Sequence, residues 1–206
     1  MSQDPSLLYK LCAMVLTDVL PERLDAGYLF AQPGGILRTN QIKRGRELLA
    51  QVPILGLCGK IGEGYEGFAA WAGDLQEQGI LSDRIMALPS PPDGVNTYSE
   101  AVELVMYAKT QGWKQLVITS TAHHQMRVFL TVLRQVELQY PELRVYNAPS
   151  AAIPWWKPVT HYQGEVTMTG HEFIDTELER IERYQLVGHI VSPAQGLEYL
   201  RARDSE

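Results

Sequence analysis

A three-layer αβα sandwich around a mostly parallel, Rossmann-like sheet is the fold this sequence predicts, on three observations. Short apolar runs such as Leu116-Val117-Ile118 alternate with longer segments whose apolar residues recur at helical spacing. Glycine and proline separate the two kinds of segment. The chain has 206 residues, 45% hydrophobic and 20% charged, enough for one sizeable core. Strands alternating with helices build βαβ units, and right-handed crossovers place helices on both faces. Residues 1–206 read as a single domain.

Taken in order, Leu7, Leu8, Leu11, Met14, Val15 and Val19 lie on one helical face. That predicts a packed helix over 6–19, capped by Ser6 and ended by Pro21. Asp25–Ala31 suits a buried strand. Gln32–Asn40 reads as a glycine-bearing turn holding Arg38, with Thr39 or Asn40 capping a helix over Gln41–Ala50. Val52–Cys58 is the second strand. A glycine-rich turn follows, then a helix over Glu66–Gln78 closed by Gly79. Arg84–Leu88 is a third strand, and Pro89–Gly94 is a loop because proline does not serve a central ladder. Asn96 or Thr97 caps a helix over Tyr98–Gln111. Lys114–Ser120 is the clearest strand, and the helix after it reaches Tyr140. Leu143–Asn147 is a fifth strand. Residues 148–170 read as an irregular segment near the site, Glu172–Leu186 as the last strong helix, and Gly188–Val191 as the start of a final strand.

Bulk properties exclude several classes. A net charge of -6 with no dense Lys/Arg cluster argues against nucleic acid as a partner. The N-terminus carries Asp4 and Pro5 where a signal peptide needs positive charge, and Leu7–Leu20 is too short and too polar to span a bilayer. The expectation is a cytoplasmic protein with no membrane partner. Cys12 and Cys58 build no disulfide framework. No metal is expected: the adjacent His123 and His124 diverge on a helix, His161, His171 and His189 are scattered, and neither a zinc-ligand spacing nor a hydrolase elbow is present.

Ligands of an open parallel sheet bind where strand carboxyl ends lead into helices. That rule selects Gln32–Asn40, Gly59–Tyr65, Pro89–Thr97 and Thr119–His124. The last runs on into Gln125-Met126-Arg127. His124 and Arg127, three apart, share a helix face; the guanidinium offers a fork for an anion, and the imidazole offers a group that changes charge near neutral pH. Thr119, Ser120 and Thr121 add hydroxyls. The same residues can equally cap a helix, and so can Asn96 and Thr97. Gly59–Gly64 lacks the full phosphate-loop pattern. Trp155 and Trp156 either stack on a flat ligand or plug the edge of the core.

Asn96-Thr97-Tyr98-Ser99-Glu100-Ala101, followed by Leu116–Ser120 and His124-Gln125-Met126-Arg127, resembles the YdcF/SanA/ElyC family over roughly residues 25–190. The resemblance implies a three-layer Rossmann-like fold with a polar cleft at the strand ends. It points to Arg38, Glu66, Asn96, Thr97, Ser120, His124 and Arg127. It also brings S-adenosylmethionine, bound by one member, as a possible cofactor; no reaction belongs to the family as a whole. Three features depart from the pattern. Ser99-Glu100 replaces a Glu-Asn pair, Pro91-Pro92-Asp93 stands where an acid is usual, and an extra residue after Ser120 lets His123 compete with His124.

Three readings follow. The first is an enzyme acting on a small anionic, nucleotide-like or phosphorylated ligand, a hydrolase or transferase. In it His124 is the acid–base group, Arg127 and Arg38 hold the anion, and Asn96, Thr97 and Ser120 orient the ligand. Asp93 or Glu100 sets the histidine tautomer, and Glu66, Thr119 and Trp155 complete the site. The second is a binding or regulatory module without turnover, and the third is a structural partner protein.

Overall fold

The strands β1 (Ala26–Leu29), β2 (Leu55–Cys58), β3 (Ile85–Leu88), β4 (Gln115–Thr119) and β5 (Arg144–Asn147) form one parallel sheet in the order β3-β2-β1-β4-β5. This computed structural model describes residues 5–30, 35–59, 66–89, 95–161 and 166–205. From β1 the chain steps outward to β2 and β3, then returns to lay β4 against the free side of β1. The switch point therefore lies between the carboxyl ends of β1 and β4, where a parallel sheet opens a crevice. The pairing there is continuous: Leu29 stands opposite Thr119, and the Phe30 amide donates to the Thr119 carbonyl at 2.9 Å.

Strand alternation sorts side chains to the two faces. Tyr28, Leu116, Ile118 and Val145 pack under α4 (Thr97–Gln111) and α5 (Ala122–Gln139), with α1 (Pro5–Leu16) and α7 (Pro193–Asp204) completing that layer. Leu29, Leu55, Leu57 and Val117 face α2 (Gly35–Leu48) and α3 (Phe68–Glu77). The Rossmann-like three-layer arrangement predicted from the alternation is the one found. Helix α5 lies between the sheet and four other helices and buries residues on nearly every side, including His123, His124, Gln125 and Arg127. Each polar group on it must then be bonded to something inside the protein.

Several boundaries differ from expectation. The first helix runs from Pro5, with Ser6 inside it, and stops at Leu16 rather than Val19. Asp18, just beyond its end, turns in to bond Asn147 and Arg203. Gly35–Asn40 is no turn: α2 begins at Gly35, so Arg38, Thr39 and Asn40 are helical. The reason is the buried stripe Leu37, Gln41, Gly45, Leu48, at helical spacing against the sheet. A Cβ on Gly45 would come within 3.0 Å of Leu29, so glycine permits the close approach. The segment 148–170 is not wholly irregular, since β6 (Pro158–His161) and β7 (Val166–Thr169) pair antiparallel. Strands of four residues outside the main sheet leave little hydrophobic signal. Gly188–Val191 forms no strand; after α6 (Gly170–Leu186) it turns into α7, which the periodicity missed. Its start was written in Ser192-Pro193-Ala194-Gln195, a capping box with proline in the first turn.

Candidate functional site

Strand β4 ends at Thr119, and its alternation divides the residues that follow. Ser120 turns toward α4 and α5, whereas Thr119 follows Val117 to the α2 side, so the two hydroxyls do not share one cradle. The Ser120 hydroxyl lies 3.1 Å from His124 Nδ1. On the other side of the ring, Thr97 Oγ1 lies 3.3 Å from His124 Nε2. Thr97 is the first residue of α4, placed by the Asn96 cap, whose side chain accepts from the amides of Tyr98 and Ser99 at 3.0 Å each. Arg127 Nη1 donates to the same Thr97 oxygen at 3.2 Å. With an arginine donating to one of its lone pairs, the threonine oxygen keeps its proton and a second lone pair for Nε2, so Thr97 and Ser120 between them satisfy the ring in either tautomer. His124, Arg127, Thr97 and Ser120, named from sequence, thus form one bonded group. His123 points elsewhere: it bonds Thr121 at 3.2 Å and stacks on Phe173 with ring centroids 5.0 Å apart.

Glu177 completes the group, and sequence reasoning missed it. Arg127 donates to both its oxygens, at 2.5 and 3.1 Å, and Arg180 to one at 2.9 Å. Burial by itself would raise this carboxyl, but the charges of Arg127, of His124 when protonated and of Arg180 hold it well below the ordinary range. A signal existed: Phe173, Glu177 and Ile181 recur every four residues along the buried face of α6, and an acid on an apolar stripe needs a counter-charge. Glu100 shows the opposite case. Burial raises its carboxyl to about 8, against the smaller opposing effect of the Tyr28 hydroxyl, which donates at 3.0 Å. At neutral pH it is a neutral acid held by Tyr28 of β1.

A cavity of about 220 Å³ opens beside this group, with Thr97, Arg127, Arg180, Tyr184 and His189 in its wall. Among the described residues, no carboxylate lines it. Arg127 lies over the Tyr184 ring at 5.6 Å, and His189 stacks on Tyr98 at 4.3 Å, so the flat walls are aromatic. His189, expected as a scattered surface histidine, is one of these walls. The volume is below the ~300 Å³ of a small-molecule pocket and suits one polar group of a ligand rather than a whole nucleotide.

The remaining predicted residues sit apart from this group. Arg38 pairs with Glu66 and, at 2.5 Å, with Asp74, and lies 5.2 Å over the Trp71 ring. It is thus held on α3 at the β1–β2 side of the rim. Thr119 is fully buried and its hydroxyl has no hydrogen-bond partner among the described residues. Trp155 is half-buried against Gly170, where a Cβ would come within 2.9 Å of its ring, which fits the plug better than the stacking platform. Trp156 is exposed and stacks on His171 at 4.8 Å. The turn at Gln32–Gly34, the glycine loop at Lys60–Tyr65 and Asp93 lie outside the described residues. Among those described, no three His, Cys, Asp or Glu side chains cluster as metal ligands, and no helix is long and apolar enough to cross a membrane.

No family model matches the chain, and no curated protein matches it.

Proposed function

We propose that the protein is a small-molecule enzyme whose ligand carries an anionic group, nucleotide-like or phosphorylated, with His124 as its acid–base group. The observation that carries this is the double role of Thr97. It bonds His124 Nε2 and Arg127 Nη1 at once, and it stands in the wall of a cavity bearing two guanidinium groups and, among the described residues, no carboxylate. The ligand's anionic group would enter that cavity and accept from Arg127 and Arg180. Its reacting group would lie across Thr97, within reach of the imidazole. Arg38, on the far side of the β1–β4 switch point, serves a more distant part of the ligand. The resemblance to the YdcF/SanA/ElyC family supports a ligand with an adenosyl group, S-adenosylmethionine included, and the chain's acidity and apolar pattern support a cytoplasmic setting.

One observation favours binding without turnover: His124 is only 5% exposed and Ser120 is fully buried, so a ligand must displace or open part of the wall to meet them. The two readings separate in one experiment. The protein is screened by thermal shift against nucleotides, adenosyl compounds and sugar phosphates, since only native-state binding raises Tm. Hits are then incubated and searched for product. The enzyme reading expects a Tm rise that Arg180→Gln and Arg127→Met weaken, and product formation that His124→Ala abolishes while binding persists. Binding with no product leaves the module, and no rise with any of these classes overturns the proposal.

A further inference from the structure

Helix α5 carries a fully buried glutamine directly after His124, and its bonds run sideways along the carboxyl end of the sheet to the edge strand β5. Gln125 Oε1 accepts from the Ser120 amide at 2.6 Å, and its Nε2 donates to the Ile118 carbonyl at 3.2 Å and to Asn147 Oδ1 at 3.0 Å. Asn147, at the end of β5, donates from its own amide and from Nδ2 to Asp18 Oδ2, at 2.9 and 3.1 Å. Asp18 lies just past α1 and receives two bonds from Arg203 of α7, at 2.8 and 2.6 Å.

The chemistry of each member fixes the orientation of the next. An arginine only donates and an ionised carboxylate only accepts. Asp18 therefore requires Asn147 to point Nδ2 toward it, which leaves Asn147 Oδ1 facing Gln125. That oxygen, with the Ile118 carbonyl, requires Nε2 there, so Gln125 turns Oε1 to the Ser120 amide. Both amides are set by an ion pair two residues removed from the site. Side chains of 2% and 4% exposure make that ion pair costly to break.

We infer that Gln125 and Asn147 are positioning residues for the candidate site: anchored by Asp18 and Arg203, they lock the backbone of Ser120 and hold its hydroxyl as the Nδ1 partner of His124. The inference rests on the reading of His124 as the acid–base group. A ring with Nδ1 held by Ser120 keeps Nε2 aimed at Thr97 and the cavity. The same lock removes the Ser120 amide as an anion donor, so ligand recognition at this rim falls to side chains. Arg127 and Glu177 face the ring from α5 and α6 and are left intact when the lock is broken.

The test reads the ring directly. Histidine-labelled protein is titrated by NMR, following the His124 ring nitrogens for pKa and tautomer, in wild type, Gln125→Leu, Asn147→Ser and Arg203→Gln. Val136→Ala serves as control: it is a core change in the same helix, about 18 Å along it from His124. Expected is a shift of about half a pKa unit or more, or a change in the major tautomer, for Gln125→Leu. Asn147→Ser and Arg203→Gln should give progressively smaller changes of the same sign, and Val136→Ala none. Faster hydrogen exchange of the Ser120 amide should accompany each change. His124 titrating as in wild type in both Asn147→Ser and Arg203→Gln, or shifting equally in Val136→Ala, overturns the inference. Should Gln125→Leu not fold, those two variants decide. Because no ligand enters the measurement, a failure here leaves the proposed function standing, and a failed ligand screen leaves this result readable.

Discussion

Two arginines at the rim of the sheet attract carboxylates, and the molecule treats them differently. Arg127 and Glu177 are 9% and 5% exposed, whereas Arg38 is met by Glu66 and Asp74 at 63% and 38%. The first pair is a fixed part of the wall, cut off from water and geometrically exact enough to hold Thr97. In the second, Arg38 is itself only 12% exposed, but its carboxylate partners reach solvent and can rearrange when a ligand arrives. The two arginines are almost equally buried, so it is the burial of the carboxylate partner that decides which arginine organises the site and which remains available to be recruited.

The largest effect should come from opening the buried pair. Glu177→Ala leaves two guanidinium groups without their shared carboxylate, and its unfolding free energy in urea should fall by about 3–5 kcal/mol. The sign with pH follows from the lowered carboxyl. Its contribution is fully present above the unfolded carboxylate pKa and is lost as pH falls through the folded one. Wild type should therefore lose stability below pH ~4 more steeply than Glu177→Ala. A change under 1 kcal/mol would show that the two pairs are energetically alike.

Glu100 sharpens the comparison, because no cation among the described residues offsets its burial and it shifts the other way. Its folded pKa of about 8 lies above the unfolded value of 4.5. Between those values the folded chain keeps a proton that the unfolded chain has released, so stability falls as pH rises through that window. Glu100→Gln keeps an acceptor for the Tyr28 hydroxyl and removes the titration. Its unfolding free energy should match that of wild type near pH 4 and exceed it by several kcal/mol at pH 9, about 1.4 kcal/mol for each unit between the two pKa values. Parallel curves for the two proteins across that range would remove Glu100 from the set of buried neutral acids.

The smallest effect should be at Arg38. Arg38→Ala breaks a solvent-screened pair worth roughly 0–1 kcal/mol, and the loss should shrink in high salt. Its informative readout is ligand affinity. A drop of tenfold or more with little change in Tm would mark Arg38 as a recruited contact, and unchanged affinity would confine the ligand to the Arg127 side.

Much of the fold was legible because period and punctuation report it locally. The core strand at Leu116-Val117-Ile118, the helix closed by Gly112 and the long helix after Ser120 appear within a residue or two of expectation. Less visible were features without a strong local pattern: the hairpin β6–β7, with four-residue strands, and the start of α2, hidden by Gly34-Gly35. The turn at Gly188–Val191 passed for a strand on composition alone. At the site, the motif residues Asn96, Thr97, Ser120, His124 and Arg127 were visible as a set because they stand at strand ends and helix starts. Glu177, Arg180 and His189 were not, because they come from a helix and turn 50 or more residues later in the chain.

By itself, then, the sequence determined the layers: hydrophobic period, caps and breakers act over a few residues, and they specify helices, strands and the loops between them. Tertiary structure alone decided what the charged groups are. Whether a carboxylate lies low like Glu177 or high like Glu100, and whether an arginine's partners are sealed from water or open to it, depends on burial and on partners from distant segments. Electrostatic energy follows distance and solvent access in three dimensions, which no local pattern encodes.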